Sequence, residues 1–318
     1  MLRKTAAVVW VALGLVFAGG CVVIAPSFER PLRTVVVEPS PRWIEWNRIA
    51  LIDIDGFIAS GDVGLLFTGV TVADVKERLR RAAKDDGVVA VVLRINSPGG
   101  EAAASDVIYR EIQAFRRDSG KPVVAWLMGV AASGGYYVAC AADRIVAAPS
   151  TITGSIGVIM KFYNVEGLFR KVGVSSEVIK SGEHKDIGSM TRPMTPEERA
   201  VLEGLNRALY ERFVDAVRQG RPTMADADFA RVADGRPLTA AEAREMHLVD
   251  QIGYLDEAIA LAKEMAGVRE ADVIMYKPQG VVNANIYTAQ SPGLLEKALD
   301  ALAARQGPLF LYLWEPAP

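Results

Sequence analysis

The chain has 318 residues, 51% of them hydrophobic and 23% charged, which is enough for a substantial core. A net charge of -2 gives no reason to expect a nucleic-acid partner. Two cysteines, Cys21 and Cys140, and two histidines, His184 and His247, argue against a disulfide framework and against a structural zinc site. After Arg3 and Lys4, residues Ala6 to Ala25 run apolar and uncharged for 20 residues, the length of one membrane span. We read residues 1–5 as a short cytoplasmic N-terminus and 6–25 as a transmembrane anchor, with everything after Pro26 outside the cytoplasm. Cleavage or lipidation at Ala18-Gly19-Gly20-Cys21 is the alternative. Residues 26–47, with four prolines between Pro26 and Pro41, read as an extended stalk.

From residue 48 the chain alternates between strand and helix patterns. Arg48–Ile58 reads as a strand, and Val72, Val75, Leu79 and Ala82 recur at helical spacing. Val88–Ile95 is almost unbroken and β-branched, as a strand buried on both faces of a parallel sheet would be. Asn96-Ser-Pro-Gly-Gly100 then reads as a tight loop before a helix over Glu101–Arg117. Pro122–Met128 is the next strand. It runs into Gly129-Val-Ala-Ala-Ser133-Gly-Gly135 and a short helix to Ala142, and Arg144–Ala148 follows as a strand. Thr195-Pro-Glu-Glu198 starts a helix with a capping box, and Gly220 ends it. Helices around Ala225–Val232, Ala240–Met246 and Asp256–Ala266 and a strand over Ala271–Tyr276 complete an α/β domain with mostly parallel pairing. The domain spans 48–278. Residues 279–318 form a C-terminal segment with a helix over Leu294–Arg305 and an apolar tail, Gly307–Pro318. We read that tail as a core or oligomer contact. An extended strand in a substrate groove is the alternative.

Three stretches carry groups suited to chemistry. Ser133 sits among Ala131, Ala132, Gly134 and Gly135, where a hydroxyl can be approached closely and backbone N–H groups can face a ligand. A packing turn has the same composition. Gly99 and Gly100 end a buried strand, where their N–H groups could hold an oxyanion or a phosphate. Ile179–Ile187 holds Lys180, His184 and Lys185, any of which could act as a base. A lysine does so only when its pKa is lowered, whereas a histidine is already suited near neutrality.

Asn96–Gly100, Met128–Tyr137, Thr153-Gly-Ser-Ile-Gly157 and Lys180–Ile187, in that order, resemble the bacterial signal peptide peptidase A family in its short, single-repeat form. The resemblance runs from about Ile49 to Ala266. It implies a Clp-protease/crotonase-like fold after one N-terminal transmembrane helix, with a serine–lysine dyad: Ser133 as nucleophile, Lys185 as general base and Ser155 orienting the lysine. The oxyanion donors would be Gly134 together with Gly99 or Gly100. No metal and no cofactor are implied. The implied partners are peptide substrates (cleaved signal peptides), a membrane and further copies of the chain in a ring. The implied location is the cytoplasmic membrane of a bacterium, with the catalytic domain on its outer side. A crotonase-like acyl-CoA enzyme and a non-proteolytic, membrane-anchored scaffold of the same fold are the alternatives.

Overall fold

Strands buried on both faces build the sheet at the centre of this chain. The structure is a computed structural model that describes residues 32–41, 46–61, 69–278, 285–287 and 311–313. The expected anchor, most of the C-terminal segment and the helix expected in it lie outside these residues. Among the described residues, no helix is long and apolar enough to cross a membrane.

The elements in chain order are β1 (Leu32–Glu38), β2 (Arg48–Ala59), β3 (Gly69–Thr71), α1 (Val72–Lys84), β4 (Val88–Glu101), α2 (Ala102–Ser119) and β5 (Val123–Ala132). Next come α3 (Gly134–Ala139), β6 (Arg144–Ala147), β7 (Ile152–Gly154), α4 (Glu166–Lys171), α5 (Pro196–Gly220) and α6 (Asp226–Val232). The chain then passes through β8 (Pro237–Thr239), α7 (Ala240–Glu245), β9 (Gln251–Ile252), α8 (Leu255–Met265), β10 (Asp272–Pro278) and β11 (Leu311–Leu313). The main sheet order is β1-β10-β2-β4-β5-β6-β9, and every pair with a printed register along it is parallel. The segment read as a stalk thus contributes β1, at one edge of the sheet.

Ile49, Leu51, Ala90, Val92, Val124 and Trp126 pack against Leu255, Ala258, Ile259 and Ala262 of α8. Strand side chains alternate, so Ala50, Ile52, Val91 and Leu93, also buried, face the other way, where α1 and α2 pack on β2 and β4. Helix starts follow their caps. Thr71, Thr195 and Thr239 each accept a hydrogen bond from the backbone N–H three residues on, and Asp74, Glu198 and Glu242 return it.

One expectation is corrected here. Asn96–Gly100 is not a loop: β4 stays extended to Glu101. Its backbone is paired on both sides, by Asp55, Phe57 and Ile58 of β2 and by β11. A Cβ on Gly100 would collide with the Ile58 backbone, so glycine here permits pairing where the sequence suggested a turn.

The site follows from how β4 and β5 part. They pair from Val91↔Val123 to Ile95↔Leu127, slip register, and meet once more at Ser97↔Ala131. Beyond that, β5 pairs with β7 and β4 pairs with β11. The gap lies at the carboxyl ends of parallel strands, where open α/β sheets place ligands.

Candidate active site

Ser133 stands at the end of β5 and caps α3 with φ 52 and ψ -116. A side-chain-bearing residue in that region is strained, and such strain clusters at functional sites. The surroundings hold it there. Its N–H donates to the Gly154 carbonyl at 2.8 Å, and its own carbonyl accepts from the Tyr137 N–H at 2.8 Å. The residue is 1% exposed.

Ser155 is its structural companion. β5 and β7 are parallel, with Ala132 opposite Gly154, so Ser133 and Ser155 leave adjacent strands side by side. Ser155 is also buried, has φ 50, and donates its N–H to the Arg236 carbonyl. Thr153 Oγ1 donates to the Ala131 carbonyl at 2.6 Å and ties the two strands just below. Thr153 begins one of the sequence motifs but had no role assigned to it there, because a strand threonine carries no positional signal of its own.

The glycines converge on the same point. A Cβ on Gly99, whose φ is +107°, would lie 2.8 Å from the Gly134 nitrogen and collide with the Tyr312 carbonyl oxygen. A Cβ on Gly134 would lie 3.0 Å from that same oxygen and 3.2 Å from the Gly100 nitrogen. A carbonyl of β11 therefore already sits in the space that Gly99 and Gly134 leave. The Gly99 N–H donates to Ser97 Oγ at 3.1 Å, which leaves the Gly100 and Gly134 N–H groups as the better donors for an oxyanion.

The lysine is not gathered in. Lys180, His184 and Lys185 are all exposed. Lys180 is tied to the Asp186 carboxylate and to the Glu183 carbonyl, both at 2.7 Å. Among the described residues, neither the Ser133 hydroxyl nor the Lys185 ammonium has a side-chain hydrogen bond. The structure thus brings together Ser133, Ser155, Gly99, Gly100 and Gly134, and leaves Lys185 on an open surface. Cys140 offers no rival nucleophile, because burial pushes its thiol up to about 12, against the opposing pull of Arg221.

Charge holds the lysine-bearing segment from behind. Arg192 bridges Asp186 and Glu198, and Lys180 joins it on Asp186. Arg192 first, and then Lys180, hold Asp186 well below the usual carboxylate range. Arg192, followed by the Thr195 N–H, lowers Glu198 to about 2. Both folded values are depressed, so their stabilisation is complete above the unfolded values near 4 and fades as pH falls through the folded ones. Residues 180–198 are therefore expected to keep their protection between pH 7 and pH 5 and to lose it toward pH 2. Hydrogen exchange corrected for intrinsic rate checks this, and Arg192→Met should remove the transition.

Residues 115–269 match the profile of peptidase family S49, and residues 70–152 match the Clp protease profile. A Synechocystis protein named as a protease is 38% identical over 222 residues, which is 70% of this chain and 76% of the relative. An Enterococcus faecium protein named as a signal peptide peptidase SppA is 35% identical over 233 residues, 73% of this chain and 67% of the relative. A Methanocaldococcus jannaschii protein named as a protease is 38% identical over 193 residues, 61% of each chain. Matches to the chloroplastic serine protease SPPA of Arabidopsis thaliana and to protease 4 of Salmonella typhi span only 33% and 39% of those longer proteins. With two relatives at 38% and 35% identity matched over 76% and 67% of their length, and the S49 profile matching residues 115–269, this chain belongs to peptidase family S49.

Proposed function

We propose that this chain is a membrane-anchored serine endopeptidase that hydrolyses remnant signal peptides and other membrane-derived peptides with a Ser133–Lys185 dyad. The observation that carries the reading is Ser133 itself: a strained serine at a strand-to-helix turn, beside Ser155, next to a glycine-lined gap against which the Tyr312 carbonyl oxygen lies. Neutral Lys185 takes the Ser133 proton, and Oγ attacks the carbonyl carbon of a peptide bond. The Gly134 and Gly100 N–H groups hold the oxyanion. The lysine ammonium gives its proton to the leaving amine, and water then releases the acyl group. The S49 match favours this over the acyl-CoA and scaffold alternatives. The apolar run Ala6–Ala25 supports an anchor in the cytoplasmic membrane with the peptidase domain outside.

In this reading, Lys185 reaches Ser133 from a neighbouring copy in a ring. Two features support it. Lys185 is exposed and unengaged, and the segment before it presents Tyr163, Leu168, Val172, Val174, Val178 and Ile179 to solvent, with Ile179 fully exposed. An apolar band of that extent marks a surface that assembly covers. The test is to mix two inactive full-length variants, Ser133→Ala and Lys185→Ala, and let them exchange subunits. A shared site predicts recovery of roughly a quarter of wild-type peptidase activity, because random mixing pairs an intact serine with an intact lysine about one time in four. No recovery despite demonstrated exchange would place both residues of each dyad in one chain.

A further inference from the structure

β4 slips register with both neighbours at the same place, just before the glycines of the site. Toward β2 it pairs Asp55↔Asn96 and then Phe57↔Gly99, so Ser97 and Pro98 together face Gly56. One extra residue on one strand is a β-bulge, a device that re-aims a strand and recurs beside active sites. Toward β5 it pairs Ile95↔Leu127 and then Ser97↔Ala131, so there β5 carries the excess. Side chains bridge both slips. Asn96 Nδ2–H donates to Asp55 Oδ1 at 2.9 Å, and Asn96 Oδ1 accepts from the Val130 N–H at 3.3 Å, which links β2, β4 and β5.

Ser97 reaches further than Asn96 does. It is fully buried. Pro98 has no N–H to offer across the bulge. Ser97 Oγ instead donates its proton to the Gly56 carbonyl at 2.6 Å, far closer than the Gly99 carbonyl at 3.4 Å. The same oxygen accepts from the Gly99 N–H at 3.1 Å. A hydroxyl that accepts from the N–H two residues on makes a local turn, and Gly99 completes it with a φ of +107° that glycine adopts freely. Ser97 also abuts the helix after the nucleophile. A Cβ on Gly135 would lie 2.7 Å from the Ser97 carbonyl oxygen and 3.3 Å from Ser97 Cβ. One buried residue is thus tied to Gly56 on β2, tied to Gly99 on β4 and packed against Gly135 on α3.

We propose that Ser97 is a positioning residue for the oxyanion: its hydroxyl draws the Gly99 N–H back onto its own strand and so aims the Gly100 N–H into the gap beside the Gly134 N–H. This rests on the peptidase reading. Both nitrogens border that gap. The Gly100 nitrogen lies 3.2 Å from where a Cβ on Gly134 would stand, and the Gly134 nitrogen 2.8 Å from where a Cβ on Gly99 would stand. Without the hydroxyl, the Gly99–Gly100 peptide is free to rotate, and a donor turned out of line loses its hydrogen bond steeply. The contact with Gly135 sets the spacing of the two donors from the other side. Ser97 touches no reacting atom in this scheme and acts through Gly99 and Gly100.

The test uses the assembled full-length protein, one peptide substrate, the matching peptide aldehyde and the matching peptide alcohol. With the aldehyde, Ser133 Oγ bonds the carbonyl carbon, Lys185 takes the serine proton, and the carbonyl electron pair moves onto the oxygen that the donors hold. The alcohol has no carbonyl and binds without reacting. Ser97→Ala should lower kcat about 10- to 100-fold with KM nearly unchanged, and should weaken the aldehyde relative to the alcohol by a similar factor. General loss of folded protein lowers kcat but does not move that ratio. Ser97→Cys keeps a weak donor and acceptor in place and should fall between wild type and Ser97→Ala; it carries the test if Ser97→Ala does not assemble. An unchanged aldehyde-to-alcohol ratio in these variants, whatever happens to kcat, overturns the role of Ser97 while Ser133 labelling by a fluorophosphonate keeps the peptidase reading. If wild-type Ser133 stays unlabelled and no peptide is cut, the peptidase reading falls and takes the role of Ser97 with it.

Discussion

Ser133→Ala should lower peptide turnover by at least about 10⁴-fold, and Lys185→Ala by a similar factor, because nucleophile and base act as one unit. Cys140 cannot substitute, since it is sealed in the core with a raised pKa. The stability readout separates this from a structural effect. Alanine keeps the strained φ of 52 at position 133, so the thermal midpoint of Ser133→Ala should barely move. Glycine adopts that conformation freely, and Ser133→Gly should be equally inactive yet more stable by about 1 kcal/mol. A variant that gains stability while losing all activity marks a residue whose strain is kept for function. Lys185→Ala should leave stability unchanged, since the side chain is exposed and makes no hydrogen bond.

Gly134→Ala should lower kcat by about 10²- to 10³-fold, as expected when an oxyanion donor is displaced. The new methyl would lie 3.0 Å from the place now taken by the Tyr312 carbonyl oxygen, and 2.6 Å from Ser105 Oγ. The second contact complicates a simple reading, because relief of a clash in α2 could itself distort the turn. Gly134→Ala combined with Ser105→Gly removes the side-chain clash and keeps the methyl beside the oxyanion position. The double variant should regain thermal stability and remain slow. Recovery of both would mean that Gly134 serves packing alone.

Much of this arrangement was legible in the residues. The β-branched run Val88–Ile95 and the apolar run before Gly129 announced buried parallel strands, because burial on both faces leaves no polar alternation to confuse the pattern. Thr195, Pro196 and Glu198 fixed the start of α5, since capping chemistry is local. Ser133 stood out because small residues on both sides leave it uncovered. What was not legible depends on partners distant in sequence. Asn96–Gly100 carries turn residues, yet it is extended because β2 and β11 supply its hydrogen bonds from 42 and 212 residues away at Ile58↔Gly100 and Tyr312↔Gly100 respectively. β7 and β8 are three residues each, too short for a period. The tail was read first as a core or oligomer contact. Its described residues are a core contact and also an extended strand on the glycine edge, paired with β4, with Tyr312 buried against aromatics from α3 and α5. No local pattern could have paired Tyr312 with Tyr137.

The most direct measurement of the dyad is intact-protein mass spectrometry of the assembled full-length chain after exposure to a fluorophosphonate, beside Ser133→Ala, Lys185→Ala and a His184→Ala control. The account predicts one adduct on wild type, mapped to Ser133, an equal adduct on His184→Ala, and none on the Ser133 or Lys185 variants. Normal labelling of Lys185→Ala with loss in His184→Ala would contradict the assignment of the base. An unlabelled wild type would contradict the nucleophile itself.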